Sequence, residues 1–526
     1  MSLKPKESPA AAFAAKVASL EKTADAVKTT PGHGVAGRHA TRALLDALSG
    51  NKDPGMFGRM FPKLPPLNVS DAKLQALANA MIDNNPNIAA GNNPNIPAGF
   101  TYLGQFIDHD ITLDLTSLGD KEKDPLGIEN FRTPSVDLDC LYGLGPDGSP
   151  HLYARNPAAG NKHGPKFLIG KNVNTGEGDF RNDLPRSPEG FALIGDHRND
   201  ENLLVAQTHL AMLKFHNKVC DMLSSDPNPP PDIFAEARRI VTWHHQWIVL
   251  HDWVERLAGK GIVKKILHDG RKFYRFKKVP YMPVEFSAAA YRIGHSMVRQ
   301  RYTHNKVFNT PQDFALFFLF SGLSGQIVGD LAAGGGGFPT LPSNWIIDWR
   351  RFYELGNSGG APVVMTPSRR IDPYLASSLN DLPGQTGVMK ILAFRNLKRG
   401  VNLGLPSGQD VATHMKIKNP LTPAEIASDS DGSTDGAVAK QQGLDKATPL
   451  WYYILKEAKV RQNGERLGPV GATIISEVFV GLIHGDQNSF LWKVKNWKPT
   501  LPSAKAGDFT FVDLLRFVDD INPLGD

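Results

Sequence analysis

The stretch "TYLGQFIDHDITLD" (101–114) places polar and charged side chains inside a run that is otherwise apolar. If the stretch is helical, Gln105, Asp108 and His109 stand at positions i, i+3 and i+4 and therefore share one face. Asp110 is rotated by about 100° from His109 and points in another direction. A buried histidine with an acidic partner would account for this pattern on structural grounds alone, so a functional interpretation needs support from the rest of the chain.

The composition is that of a globular enzyme. The 526 residues include 41% hydrophobic and 21% charged residues, and a net charge of +6 is too small to indicate a nucleic-acid partner. The two cysteines exclude a disulfide framework and form no zinc-ligand cluster. Because the N-terminus lacks an apolar signal core and no apolar run is long enough to span a membrane, we expect a protein that is cytoplasmic or secreted without a cleavable signal peptide.

The two parts of the chain differ in composition. Residues 1–95 combine an Ala- and Lys-rich helical arm, over 1–30, with a segment dense in Pro, Asn and Gly that we expect to wrap around the rest. Residues 96–526 carry long helical patterns, most clearly at 201–223 and 232–259, and few strand signals. The predicted fold class is mainly α, with one large helical domain over 96–526 and a few short strands.

Two charged stretches have simple structural interpretations. "KKILHDGRKFYRFKK" (264–278) alternates aromatic and basic residues around Asp269-Gly270, which favours a solvated β-hairpin over an RNA- or membrane-binding patch. "SDSDGSTDG" (428–436) resembles half of a calcium loop but lacks the glutamate at EF-hand spacing. We interpret it as a flexible acidic loop.

Three further segments place an arginine three residues from a second polar residue. They are "GDHRNDENLLVAQTHL" (195–210) with Arg198 and Glu201, "FSAAAYRIGHSMVR" (286–299) with Arg292 and His295, and "LAFRNLKRGVNLGLPSGQ" (392–409) with Asn396 and Arg399. Each pair alone is compatible with an ordinary ion pair or a core histidine. In the second segment, three alanines and a glycine leave room for a flat, bulky group to approach the chain.

Taken together, in their order and spacing, the four segments resemble the animal haem peroxidases of the peroxidase–cyclooxygenase superfamily, including myeloperoxidase- and lactoperoxidase-like enzymes and their bacterial relatives. The resemblance covers roughly residues 95–480. It implies haem b as cofactor and H2O2 as substrate. It also implies oxidation of halide or pseudohalide anions or aromatic donors through a ferryl intermediate.

The resemblance implies a role for each matched residue around the haem. His109 is similar to the distal acid–base histidine, Arg198 to the distal arginine and Gln105 to the distal glutamine. His295 is similar to the proximal iron ligand. Asn396 is expected to accept a hydrogen bond from its other ring nitrogen, and Arg292 and Arg399 to lie near the propionates and the proximal side.

Asp108 and Glu201 resemble the carboxylates that form ester bonds to haem methyl groups in the vertebrate enzymes. Asn202 occupies the position at which myeloperoxidase has a methionine that forms a sulfonium link. That link is therefore impossible here, and the expected donors are bromide, iodide, thiocyanate and aromatic compounds rather than chloride. The vertebrate disulfides are also missing, which fits a bacterial or intracellular setting.

Asp110 resembles a calcium ligand, and the rest of that site resembles "TPSVDLDCLYG" (133–143). Oxygen-bearing side chains and carbonyls at this spacing suit a hard cation. At residue 139 this chain has an aspartate where relatives often have a serine, which gives three carboxylates. The implied calcium ligands are Asp110, Thr133, Ser135, Asp137 and Asp139.

Two other functions stay open. A fatty-acid dioxygenase of the cyclooxygenase type would need a tyrosine three residues before His295. That position is Arg292, and the neighbouring Tyr291 is expected to point to a different side. A non-catalytic, calcium-stabilised adhesion protein is disfavoured because His109, Arg198 and His295 are all present. The oligomeric state cannot be predicted.

Overall fold

The structure, a computed structural model, describes residues 57–113, 130, 132–156, 162–276, 279–322, 325–329, 337–356, 363–382, 385–429 and 432–526. The helical arm expected over residues 1–30 lies outside these ranges, and the domain boundary at residue 95 stays a prediction. Phe57–Asp526 forms one compact unit.

Helices dominate this unit, so the predicted mainly α fold class is confirmed. The longer helices among the described residues are α1 (Asp71–Ala80), α2 (Gly99–Ile111), α3 (Leu203–Ser224), α4 (Ile233–Ile248), α5 (Ile262–Asp269), α6 (Leu392–Asn402), α7 (Leu450–Gln462), α8 (Pro469–Gly485) and α9 (Phe511–Val518). Shorter α-helical segments are Asp139–Tyr142, Gly145–Gly148, Glu255–Ala258, Val284–Ser287, Gly294–Met297, Gly408–His414, Pro423–Ile426, Asp435–Gln441 and Phe490–Lys493. The 3-10 helices are Ala89–Gly91, Pro150–Leu152, His197–Asp200, Ala290–Ile293, Phe314–Phe318, Ser343–Trp345, Trp349–Arg351, Ser377–Asn380 and Gly387–Lys390.

The strands are short and pair only in twos within the described ranges. They are β1 (Phe57–Gly58), β2 (Asn92–Pro97), β3 (Tyr153–Asn156), β4 (Lys162–Phe167), β5 (Met282–Pro283), β6 (Arg301–Tyr302), β7 (Gln312–Asp313) and β8 (Pro367–Arg369). β1 pairs with β5 in parallel; β2 with β8, β3 with β4 and β6 with β7 are antiparallel. None of these pairs is large enough to form a core, so the helices supply it.

The two helices predicted with most support from periodicity are present. Asn202 and Asp232 cap the N-termini of α3 and α4, accepting from backbone N–H groups inside each helix. α4 continues through a π-helical turn (Val249–Val254) into Glu255–Ala258, so the predicted helix 232–259 is one nearly continuous element. No helix in the described part of the chain is both long and apolar enough to cross a membrane.

The predicted β-hairpin at 264–278 is wrong. Residues up to Asp269 form α5, and Gly270 follows with a φ of +80°, a conformation that glycine adopts readily and that ends helices. The Asp-Gly pair is therefore a helix terminus rather than a hairpin turn, because the apolar residues before it recur at helical spacing. The acidic stretch 428–436, interpreted from the sequence as a flexible loop, ends in a helix. Asp435 begins that helix and forms a buried ion pair with Lys456.

Packing brings four segments around one region of the core. α2 packs against α3 and against Gly294–Met297, and α6 packs against α1 and α7. The ends of these segments carry the polar residues singled out in the sequence. The interior between them is where a site can form.

Candidate active site

One cavity of about 550 Å³ is lined from two sides by histidines. His109 comes from α2, and His295 comes from the short helix Gly294–Met297. Six of the residues predicted from the sequence line this cavity: Gln105, Asp108, His109, Glu201, Arg292 and His295. A Cβ added to Gly294 would meet nothing within 4 Å, so the space beside the second histidine is open.

His109 is almost fully buried and has one polar partner on the side away from the cavity. Its Nδ1 lies 2.8 Å from Oδ1 of Asn199, and its Nε2 lies 3.9 Å from Oε1 of Glu201. Because an amide oxygen only accepts, Nδ1 carries the proton. Burial, reinforced by Arg198, lowers the pKa of His109 to about 3, so the ring is neutral and Nε2 has a free lone pair.

Arg198 is held by Asp196 and not by Glu201. Its Nε and Nη2 donate to the Asp196 carboxylate at 3.1 and 2.9 Å, and Nη2 also donates to the backbone oxygens of His109 and Thr112. Burial alone would raise the pKa of Asp196, but Arg198 and Arg132 hold it well below its usual range. The guanidinium is thereby fixed against the end of α2.

Glu201, Gln105 and Asn202 form a hydrogen-bonded row along the cavity wall. Nε2 of Gln105 donates to Glu201, and Oε1 of Gln105 accepts from Nδ2 of Asn202 at 3.2 Å. Burial raises the pKa of Glu201 to about 7, with Arg198 opposing the shift. Asn202 thus has two functions, since its Oδ1 also caps α3.

Asp108 and His109 both line the cavity, on either side of Gln105, which lies one turn earlier on α2. Oδ1 of Asp108 accepts a hydrogen bond from the Thr112 hydroxyl at 3.0 Å. Burial raises its pKa, while Arg198 and Arg292 act in the opposite direction. The carboxyl group therefore lies at the cavity edge between two cations.

His295 contacts Asn396 as expected, but the hydrogen bond runs the other way. Nδ2 of Asn396 lies 2.8 Å from Nδ1 of His295, and Oδ1 accepts from Nη1 of Arg292 at 3.1 Å. Because the amide oxygen is occupied by Arg292, Nδ1 of His295 is an acceptor in this arrangement. Burial, followed by Arg292 and Arg395, lowers the pKa of His295 to about 3. Its Nε2 forms no hydrogen bond with the described residues.

A second cavity of about 300 Å³ adjoins the first and shares with it Asp108, Arg292, His295, Leu392 and Arg395. Four arginines line it: Arg198, Arg292, Arg395 and Arg399. One end of the combined space is therefore strongly cationic. A ligand with carboxylate groups at one edge fits this end.

The larger cavity is also lined by apolar and aromatic side chains. They include Trp253, Phe314 and Phe318, and Gly104 allows the Trp253 ring to lie where a Cβ would be only 2.8 Å from it. Tyr291 also lines this cavity, with its hydroxyl donating to the Gly104 oxygen. The 3-10 helix Ala290–Ile293 directs Tyr291 toward α2 and Arg292 toward Asn396 of α6, so the two side chains point to different sides although both line the cavity.

Asp110 faces away from the cavity and meets Asp137 and Asp139. One oxygen from each carboxylate lies within 4.8 Å of the others. Asp110 also accepts from the N–H groups of Leu138 and Cys140, and burial followed by repulsion from Asp139 raises its pKa to about 7. Three acids this close favour a cation between them. In the same loop, the N–H of Ser135 donates to the Thr133 oxygen.

Sequence reasoning missed four polar residues of this region: Arg132, Asp196, Asn199 and Arg395. Arg132 connects the acids to the cavity, since Nη1 donates to Asp139 at 3.1 Å and Nε donates to Asp196 at 3.0 Å. Asp196 had a detectable signal, because an aspartate two residues before Arg198 can cap a helical turn. Arg132, Asn199 and Arg395 had no comparable signal in the sequence.

Comparison with known proteins identifies the family of the chain. The model of the animal haem peroxidase family matches residues 125–501. The peroxidasin homolog pxn-2 of Caenorhabditis elegans is 25% identical over 313 residues, which are 58% of this chain and 22% of that protein. The chain thus spans about a fifth of the length of the curated relatives it matches first.

Solved structures share the fold. Peroxidase A of Dictyostelium discoideum superimposes with a TM-score of 0.59 at 17% identity, covering 89% of this chain and 94% of that one. The fatty acid alpha-dioxygenase of Oryza sativa gives 0.54 at 16% identity, covering 82% of this chain and 76% of that one. At these identities the likeness concerns the fold alone.

Proposed function

The chain belongs to the animal haem peroxidase family, and from this premise we propose that it is a haem peroxidase that reduces H2O2 and oxidises small anionic or aromatic donors. The observation that carries the proposal is that His109 and His295 both line the cavity of about 550 Å³. Both rings are neutral, and neither Nε2 has a hydrogen-bond partner among the described residues.

The residues present fit a haem. Its flat apolar body suits the aromatic wall, and its carboxylates suit the end lined by Arg292, Arg395 and Arg399. His295 would bind the iron through Nε2. When bound, haem supplies the redox chemistry that splits peroxide and oxidises donors.

His109 is the proposed acid–base residue. With its proton on Nδ1, Nε2 can take a proton from peroxide in the cavity and return it to the departing oxygen. Its lowered pKa keeps it ready to accept a proton at neutral pH. Arg198, fixed by Asp196, lines the adjoining cavity, so its proposed role of stabilising negative charge on the departing oxygen would require the guanidinium to turn toward His109.

Asn396 is the proposed positioning residue for His295. A ring that binds metal through Nε2 carries its proton on Nδ1 and needs an acceptor there. Rotation of the Asn396 amide by 180° would supply its Oδ1 to that proton. The same rotation would turn Nδ2 of Asn396 toward Arg292, so the present contact between Oδ1 and the Arg292 guanidinium would be given up.

Asp108 and Glu201 are the proposed sites of haem ester formation. Both carboxyl groups line the larger cavity, and burial raises the pKa of each. A protonated carboxyl group avoids the cost of a buried charge until a bond forms. Ester formation would break a methyl C–H bond and the carboxyl O–H bond, with H2O2 as the two-electron oxidant that is reduced to two molecules of water. The row from Glu201 through Gln105 to Asn202 would hold water and anionic donors near His109.

Calcium is the proposed occupant of the acidic group Asp110, Asp137 and Asp139, with Thr133 and Ser135 as further ligands. The support is the mutual proximity of the three carboxylates, which repel one another without a cation. Because Asp110 follows His109 on α2, a bound ion would hold the catalytic end of that helix.

A spectrum and a turnover assay test the proposal. The purified chain should show a Soret band, and H2O2 should drive oxidation of bromide, iodide, thiocyanate or an aromatic donor, with chloride the poorest halide. A preparation reconstituted with haem that shows no peroxide-dependent oxidation would contradict the function.

A fatty-acid dioxygenase is the second candidate, because Tyr291 lines the haem-sized cavity. A tyrosine there could be oxidised and abstract hydrogen from a lipid. The hydrogen bond from its hydroxyl to Gly104 argues against a free radical site. Oxygen uptake with a fatty acid, measured with Tyr291→Phe as control, separates this activity from peroxidase turnover.

A further inference from the structure

A chain of three buried side chains leads from the cavity into the core. Nδ1 of His109 lies 2.8 Å from Oδ1 of Asn199, and Nδ2 of Asn199 lies 3.0 Å from Nδ1 of His209. Asn199 and His209 are 0% exposed. The three residues come from α2, the turn His197–Asp200 and α3.

The direction of this chain follows from hydrogen-bond chemistry. An amide offers an acceptor at one end and donors at the other. Since the nitrogen end of Asn199 faces His209, the oxygen end faces His109, and His109 must carry its proton on Nδ1. His209 then accepts at Nδ1 and carries its own proton on Nε2, which has no partner among the described residues.

The backbone of Asn199 and the ring of His209 are both held in place by further contacts. Its backbone N–H donates to the Asp196 oxygen at 3.1 Å, within a turn that Asp196 also caps. The next residue, Asp200, is bound by Arg186 and by the N–H of Gly322. His209 is fixed by α3 and packs edge-on against Phe106.

We propose that Asn199 is a positioning residue that keeps the proton of His109 on Nδ1, and that His209 fixes the direction of the Asn199 amide. Nε2 of His109 is then always the atom that faces peroxide as an acceptor. This inference rests on the proposed peroxidase function, but it concerns the tautomer of one histidine and can fail by itself.

The tautomer can be measured directly. Histidine labelled with ¹⁵N is observed by long-range ¹H–¹⁵N correlation in the iron(II)–carbon monoxide form of the holoenzyme, which is diamagnetic. Among the 16 histidines, the His109 signal is the one lost in His109→Gln. The wild type should carry the proton on Nδ1; a proton on Nε2 overturns the inference whatever the variants do.

Three variants complete the experiment. Asn199→Leu cannot accept from His109, and we expect the proton to move from Nδ1 and the rate constant with H2O2 to fall roughly 10- to 100-fold. Asn199→Asp keeps an acceptor and should keep both the tautomer and most of the rate. Asn305→Leu, which removes another fully buried asparagine that bonds to backbone oxygens, should change neither.

The outcomes separate the two proposals. An unchanged His109 tautomer in Asn199→Leu, or an unchanged peroxide rate constant, overturns the role of Asn199 while leaving peroxidase function intact. If the wild type binds haem but does not react with H2O2, the proposed function fails and this role fails with it. If Asn199→Leu does not fold, Asn199→Ala removes the same acceptor, and an unchanged His109 tautomer in that variant likewise overturns the role of Asn199.

Discussion

Asp196 binds Arg198 through a pair of contacts, with Nε of the arginine at 3.1 Å and Nη2 at 2.9 Å from the carboxylate. Arg132 approaches the same carboxylate with its Nε at 3.0 Å and reaches Asp139 with Nη1. One buried carboxylate is therefore shared by two arginines, and side chains alone connect Asp139 with Arg198 in the wall of the second cavity.

Asp196→Asn should be strongly destabilising. It preserves shape but leaves Arg132 and Arg198 without their shared anion, and breaking a buried ion pair in this way costs about 3–5 kcal/mol. Urea denaturation followed by circular dichroism measures the free energy of unfolding. The exposed Asp226→Asn is the control. An unchanged urea midpoint would show that the carboxylate does not hold the two arginines.

His109→Gln should leave haem binding intact and slow the reaction with H2O2 by about 10²- to 10⁴-fold, the usual contribution of a positioned acid–base group. Stopped-flow absorbance at the Soret band gives the rate constant. His268→Gln is a matched control, because its side chain is 86% exposed. Equal rate constants for wild type and His109→Gln would rule out the acid–base assignment.

The paired change Asp108→Val and Glu201→Gln should release haem that the wild type retains. Neither replacement can form an ester, so acidified acetone should extract the cofactor from the double variant only. Each single variant should retain part of the haem after denaturation. Complete extraction from the wild type would show that no ester forms.

Calcium removal should lower the thermal stability of the chain. A ligand that binds only the folded state stabilises it by about 2.7 kcal/mol when present at 100 times its Kd. Chelation should therefore lower the Tm in wild type but have little effect in Asp139→Asn, and the exposed Asp147→Asn should behave as wild type. A Tm indifferent to calcium in the wild type would contradict the site.

Glu201 should make the haem-free chain less stable as pH rises. Its folded pKa of about 7 exceeds the usual value of a glutamate. Between pH 4.5 and 7, Glu201 therefore binds a proton more strongly in the folded state than in the unfolded state. Stability is then lost as pH rises through that window. Tm should fall less steeply with pH in Glu201→Gln, and parallel curves for the two proteins would contradict this.

Helical periodicity and spacing were sufficient for much of the fold and for part of the site. The shared face of Gln105, Asp108 and His109 followed from 3.6 residues per turn alone. The hairpin failed because Asp-Gly is common both in turns and at helix ends, and local sequence does not distinguish the two.

Contacts between residues that are distant in sequence could not be predicted from helical periodicity and spacing. Asn199 and Arg132 have ordinary local sequences, and their importance depends on which helix lies opposite them in the folded chain. Tyr291 is a related case, because its hydrogen bond to the Gly104 oxygen depends on α2 lying opposite it in the folded chain.

The cavity is assembled from distant parts of the chain: His109 meets Asn199 across 90 residues, and His295 meets Asn396 across 101. During synthesis, a nascent chain that ends before α6 lacks the α6 residues that line the two cavities. Contacts of such long range also form slowly. We therefore expect haem insertion to come late in the biogenesis of the protein, after α6 has packed against the rest of the chain.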